Sequence, residues 1–116
     1  GSSTWYLPRL IGVRRAQEFF FMNRMLSAEE AVEWGLINKS VKGLELMDEA
    51  KSAAEILAAG PRMAYGRIKE LLNSSFTTPL ETQMEHEAIH LARSAQSSDG
   101  QVGIKAFLTK TNPHFT

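Results

Sequence analysis

The chain has 116 residues, enough for one modest domain, and its 13 basic and 13 acidic side chains balance. This balance provides no overall positive field of the kind that nucleic acids or anionic membranes attract. The absence of cysteine excludes a disulfide framework and thiol chemistry. No apolar run reaches membrane-spanning length and the polar first residues do not resemble a signal peptide, so we expect a soluble, cytoplasmic chain.

Glycine and proline divide the first part of the chain into short predicted helices. Hydroxyl side chains at positions 2–4 offer caps for a helix over residues 5–11, and Gly12 separates it from a second helix over residues 14–22. Phe19 to Met22 are apolar on every side of that second helix. This pattern is typical of a helix buried in a core or against a partner.

The segment Leu26–Val41 carries the strongest local signal in the chain. Ser27 and Glu30 have the spacing of a capping box at a helix start. Gly35 is predicted to end that helix, because the position after a helix often needs a left-handed residue. Residues 36–41 then indicate a short extended exit.

Three later segments repeat apolar residues at a helical period: residues 44–59 and the stretches that follow Pro61 and Pro79. Thr78 is predicted to cap the helix that begins near Pro79, and Ser98 is predicted to cap a last helix through residues 102–107. No segment alternates with period two for long enough to form a sheet. The predicted fold class is therefore mainly α, with six or seven helices, several of them short.

Four motifs, in this order along the chain, resemble the enoyl-CoA hydratase/isomerase (crotonase) family. They are STWYLPRLIG at 3–12, AxxxGLI at 31–37, the segment 58–69 around Gly60-Pro61, and GxxAFxxK at 103–110. The resemblance covers the whole chain and is greatest to isomerase-type members. It implies that residues 1–116 form a single C-terminal helical region of a crotonase-like domain, whose ββα spiral core would lie upstream.

The resemblance also implies where the chemistry lies. The family's catalytic acids and the backbone amides of its oxyanion hole match no position here, so we expect no catalytic residue in this chain and no activity of the chain alone. Ser2 and Ser3 stand where the family has glycines that border the reacting carbon. Trp5 and Tyr6 follow that turn and are expected at the rim of the acyl pocket, with packing in a core as the alternative.

Phe107 and Lys110 match the family positions that contact the adenine and phosphates of coenzyme A. The alternative is a core phenylalanine and a solvated lysine. Coenzyme A would enter as part of an acyl-CoA substrate, with no separate cofactor and no metal. The resemblance further implies a homo-oligomer, a trimer or hexamer, without nucleic acid or membrane partners. A helical self-association module without chemistry is the alternative function.

Residues 86–90, His86-Glu87-Ala88-Ile89-His90, form an HExxH motif on a predicted helix. In zinc proteases two histidines one turn apart bind Zn²⁺ and the glutamate is the general base. A catalytic zinc needs a third protein ligand, and the next six residues lack the glycine and histidine of the metzincin continuation. The motif is better explained as the solvent-facing side of a helix, and a zinc hydrolase is only a remote alternative.

Overall fold

A computed structural model describes residues 1–115. These residues form seven α-helices and one 3₁₀ turn, and they contain no strand. The helices are α1 (Ser3–Ile11), α2 (Val13–Phe21), α3 (Ala28–Glu33), α4 (Leu46–Ala58), α5 (Arg62–Ser74), α6 (Leu80–Gln96) and α7 (Ser98–Thr109), with the 3₁₀ turn at Gly43–Glu45. The mainly α prediction is confirmed.

The chain divides into two compact units, the first spanning Gly1–Met47 and the second beginning at Asp48. In the first unit, Gly12 adopts a φ of +79° between α1 and α2, a conformation that glycine reaches at little cost. The chain can therefore turn sharply there. This places Ile11 and Ala16 against Trp34 in a small buried core. Partly buried side chains surround the three residues: Leu7, Phe19, Leu26 and Leu36.

The helix α3 has both ends that the sequence predicts. The Glu30 amide donates to the Ser27 hydroxyl oxygen, and the Ser27 amide donates to the Glu30 carboxylate, each at 3.1 Å. At the other end Gly35 has a φ of +75°, and the Leu36 amide donates back to the Ala31 carbonyl at 2.8 Å. The capping box and the glycine stop are confirmed. Residues 36–38 form a bend instead of the predicted extended exit.

Two other predicted caps are wrong. The Thr78 hydroxyl donates to the Ser74 carbonyl at 2.9 Å, and the position before α6 is occupied by Pro79, which has no side-chain cap bond. The helix α7 is capped one residue earlier than predicted, by Ser97, whose hydroxyl oxygen accepts from the Gly100 amide at 3.1 Å. In both cases the helix begins one residue away from the predicted cap, because the N-cap position is Pro79 for α6 and Ser97 for α7.

The second unit packs α5 against α6, and α6 against α7. The Arg67 guanidinium donates to the Ser94 hydroxyl at 2.7 Å, and the Gln83 amide group donates to the Leu71 carbonyl at 3.1 Å. At the start of α7, a Cβ added to Gly100 would lie 1.9 Å from the Ser94 carbonyl oxygen. The backbones of α6 and α7 therefore meet at a position that only glycine fits.

Candidate functional site

The turn before α1 holds the first two predicted pocket-rim residues, Ser2 and Ser3. Ser2 has a φ of +66°, and its hydroxyl makes no cap bond. Its carbonyl accepts from the amides of Trp5 and Tyr6, at 3.0 and 3.1 Å. Ser2 thus occupies a left-handed conformation that glycine adopts more readily. Both serines are exposed.

Trp5 and Tyr6, the other two predicted rim residues, form an aromatic pair on the first turn of α1. Their ring centroids lie 4.7 Å apart with the planes at 76°, an edge-to-face contact. Trp5 is 45% exposed and Tyr6 is 57% exposed, and neither belongs to the buried core of the first unit. The structure brings the two rings together, and their role at a pocket rim stays a prediction.

Arg9 contacts Trp5 of this pair, and it was not identified as a site residue from the sequence. Its guanidinium carbon lies 3.8 Å from the centroid of the Trp5 ring, and Nη1 donates to the Trp5 carbonyl oxygen at 2.7 Å. The two contacts fix the cation over the ring. Trp5 and Arg9 are four residues apart on a predicted helix, a spacing that places two side chains side by side. This spacing could have predicted the contact.

Phe107 and Lys110, the predicted residues for coenzyme A, lie in the second unit at the end of α7. Phe107 is 83% exposed, so it is not a core phenylalanine in the described chain. Lys110 follows the helix with a φ of +54°, and the next amide, of Thr111, donates to the Ala106 carbonyl at 2.9 Å. This Schellman cap normally uses glycine. It leaves an exposed aromatic ring and an exposed ammonium group three residues apart.

A second cationic cluster covers Trp34 in the first unit. Arg24 pairs with Glu18 and Glu30, and its guanidinium carbon lies 4.9 Å from the centroid of the Trp34 ring. Arg15 lies 5.3 Å from the same centroid and donates to the Trp34 carbonyl oxygen at 3.3 Å. The cluster links α2 to α3 around the core tryptophan, which indicates a structural role.

The same contacts shift two pKa values. Hydrogen bonds from the Ser27 amide and then from the Arg24 guanidinium hold the pKa of the Glu30 carboxyl below its ordinary value. The hydrogen bonds to Glu18 and Glu30 raise the pKa of Arg24. Both groups are fully charged at neutral pH, so the cluster holds charges in place and is not poised to move a proton.

An apolar groove of about 530 Å³ runs between α5 and α6. Six apolar side chains line it: Ala64, Ile68, Leu71, Met84, Ala88 and Leu91. His90 also lines the groove, with Nε2 3.9 Å from a Glu70 carboxylate oxygen. Its Nδ1 is buried without a hydrogen-bond partner among the described residues. Sequence periodicity identified the stripes but not that two of them face each other.

The HExxH residues do not come together as a metal centre. His86 is exposed on α6 as predicted, whereas His90 lines the groove and faces Glu70, so the prediction of a solvent-facing side is wrong for His90. Within residues 1–115, no three His, Asp or Glu side chains lie close enough to hold a metal ion. The zinc alternative thus has no third ligand in the part of the chain that the structure describes.

None of the seven helices of residues 1–115 has both the length and the apolar character needed to cross a membrane. Three surface features stand out in the described residues: an aromatic pair on α1, an aromatic–cation pair at the end of α7, and an apolar groove between α5 and α6.

Residues 1–116 match the family model described as enoyl-CoA hydratase/isomerase, and the chain belongs to that family. It is 40% identical over 113 residues to 1,2-epoxyphenylacetyl-CoA isomerase from Escherichia coli K12; the match covers 97% of this chain and 43% of that protein. It is 38% identical over 86 residues to 4-chlorobenzoyl coenzyme A dehalogenase-1 from an Arthrobacter species, covering 74% of this chain and 31% of that protein.

The structure agrees with this membership. An enoyl-CoA hydratase from Polaromonas sp. JS666 has a TM-score of 0.91 to this chain at 31% identity, over 99% of this chain and 45% of that structure. The predicted fold class, the C-terminal helical part of a crotonase-like fold, is confirmed. The chain spans less than half the length of each of these relatives.

Proposed function

We propose that this chain is the helical part of an acyl-CoA-processing enzyme of the isomerase or hydratase type. It contributes a pocket rim, part of the coenzyme A cleft and subunit contacts, and no catalytic group. The observation that carries the proposal is the pair at the end of α7, where Phe107 and Lys110 are both exposed. An aromatic face can stack on adenine, and a lysine provides a compact charge for phosphate.

The catalytic step would depend on residues outside this chain. Moving a proton next to a thioester requires a carboxylate within reach and amide donors for the oxyanion. The family's acids match none of the carboxylates here, so the chain alone would be inactive. By their names, the two enzymes cited above act on coenzyme A esters, one of a 1,2-epoxyphenylacetyl group and the other of a 4-chlorobenzoyl group. Coenzyme A would therefore enter as part of the substrate, without a separate cofactor.

The end of α2 supports the proposed subunit contacts. Four large apolar side chains are exposed within six residues of chain: Phe20, Phe21, Met22 and Met25. Clusters of this kind mark association surfaces, and most soluble oligomers are symmetric homo-oligomers. A trimer or hexamer and a cytoplasmic location stay predictions.

The coenzyme A contacts are tested in the longer enzyme that contains this chain. Phe107→Ala and Lys110→Ala should each raise KM for an enoyl-CoA about three- to tenfold and leave kcat nearly unchanged. The reason is that contacts to coenzyme A stabilise the bound substrate and the transition state equally. Lys105→Ala, an exposed lysine on the same helix, is the matched control and should change neither constant. An unchanged KM in both variants, or an equal effect of Lys105→Ala, would overturn the assignment.

The isolated chain provides a second test. Purified and shown by intact mass to be free of longer species, it should not turn over crotonyl-CoA, and measurable turnover would contradict the proposal. One observation favours the alternative of a self-association module, namely the exposed large apolar side chains. Sedimentation showing tight self-association, together with no coenzyme A binding by the longer protein, would support that alternative.

A further inference from the structure

The aromatic pair on α1 presents ring surface on an ordered support. Consecutive residues of a helix normally diverge, yet the rings of Trp5 and Tyr6 are in edge-to-face contact at 4.7 Å. About half of each side chain is exposed. Exposed aromatic rings of this size usually meet either a partner or a ligand, since their apolar faces gain from leaving water.

Arg9 restricts the tryptophan further. The guanidinium covers the Trp5 ring at 3.8 Å and is itself tied to the Trp5 carbonyl oxygen at 2.7 Å. The indole thus has a cation over its face and a second ring against it, so little side-chain freedom is left to lose on binding. A preorganised ring discriminates between ligand shapes better than a mobile one, because the cost of ordering it has already been met.

The two kinds of acyl group would interact differently with such a surface. A flexible aliphatic chain gains only from the area that it buries, and it loses rotamer freedom on binding. A flat aromatic group gains the same kind of area, and in addition a stacked or edge-to-face contact with the pair. The neighbouring turn carries the small, exposed side chains of Ser2 and Ser3.

We propose that Trp5 and Tyr6, with Arg9 as a positioning residue, make the acyl pocket selective for a planar aromatic acyl group over a straight aliphatic one. This inference rests on the proposed function and names its substrate class. It assigns the specificity to the first turn of α1, whereas the coenzyme A contacts of α7 would serve any acyl group.

Equilibrium binding to the longer enzyme tests it without requiring turnover. The dissociation constants of phenylacetyl-CoA, hexanoyl-CoA and free coenzyme A are measured by titration calorimetry for each variant. The wild type should prefer phenylacetyl-CoA over hexanoyl-CoA, and Trp5→Leu should reduce that ratio about three- to tenfold, the range expected for one aromatic contact. Tyr6→Leu should act in the same direction.

Two controls separate selectivity from damage. Trp5→Phe keeps an aromatic face and should retain most of the preference. Phe76→Leu removes an exposed aromatic side chain in the second unit and should leave the ratio unchanged. If the variants bind both esters with the wild-type ratio, the inference is wrong and the proposed function stands. If the wild type binds neither the esters nor free coenzyme A, both fail together.

Discussion

The two compact units differ in what they bury. The first places a tryptophan at its centre, and Trp34 is only 9% exposed beneath Arg15 and Arg24. In the second unit, α5 and α6 have no buried residue, and Leu91 in the groove between them is 72% exposed. The first unit thus has a core of its own. In the second unit, the apolar stripes of α5 and α6 stay largely exposed among the described residues. Short helices are only marginally stable unless such a stripe is buried.

Removing the central tryptophan would test this difference most strongly. Trp34→Ala should lower the free energy of unfolding by about 3 kcal/mol or more, because a large aromatic is lost from a packed site. Urea denaturation followed by circular dichroism measures it. Trp5→Ala, which truncates a half-exposed tryptophan, is the matched control. Equal losses in the two variants would show that Trp34 does not form a core.

The second unit is expected to be most sensitive at its helix junction. Gly100→Ala should destabilise the second unit by about 1–3 kcal/mol. The new Cβ would overlap the Ser94 backbone, and the two helix backbones would have to move apart to relieve the overlap. Gly66→Ala in α5 meets nothing within 4 Å, and it should stabilise the helix by about 0.5–1 kcal/mol. Thermal melts of both variants check the pair. A neutral Gly100→Ala would mean that α6 and α7 do not approach so closely.

The helices α3 and α7 differ in the residue that holds the left-handed position at their C-terminal end. Gly35 fits its left-handed cap in the first unit, whereas Lys110 holds the same conformation with a side chain in the second. Lys110→Gly should therefore stabilise α7 by about 0.5–1 kcal/mol, while Lys110→Ala should not. Both variants remove the ammonium group, so the difference between their melting temperatures isolates the backbone effect. Identical melting temperatures would contradict the strained cap.

The smallest expected effect is the pH dependence of the first unit. The folded pKa of Glu30 is lowered, so the folded state binds fewer protons than the unfolded state in the acid range, and stability rises with pH there. Its contribution is complete above the ordinary carboxyl pKa of about 4.3 and is lost as the pH falls through the folded value. Glu30→Gln should show a shallower loss of stability between pH 7 and pH 3.

Glu33→Gln, which removes a carboxylate from the same helix, is the control for that profile. Denaturation midpoints at several pH values provide the comparison. If Glu30→Gln and the wild type lose stability in parallel on acidification, the carboxylate is not held by its hydrogen bonds to Ser27 and Arg24.

Local sequence rules predicted the parts of the fold that local contacts decide. The capping box at Ser27 and the stop at Gly35 need only neighbours in sequence, and both formed as expected. Thr78 failed as a cap because α6 begins at Leu80, so Pro79 occupies the N-cap position and Thr78 lies one residue too early. Helix starts are thus less certain than glycine stops.

The arrangement of the candidate site was harder to predict. The resemblance selected Trp5 and Phe107; both side chains are exposed, and their binding roles stay predictions. The cation over Trp5 could have been predicted from the four-residue spacing. Sequence periodicity does not relate Arg24 to its partners, nor the stripe of α5 to that of α6. These contacts are therefore visible only in the packed structure.

The most direct test of the account is the coding sequence immediately upstream of the codon for Gly1. We predict an in-frame extension that encodes a glycine-rich oxyanion turn and a carboxylate shortly before Gly1. This result would place the chain in a complete acyl-CoA enzyme. A start codon directly before Gly1, or an unrelated domain upstream, would contradict the account and leave a helical module without catalytic chemistry.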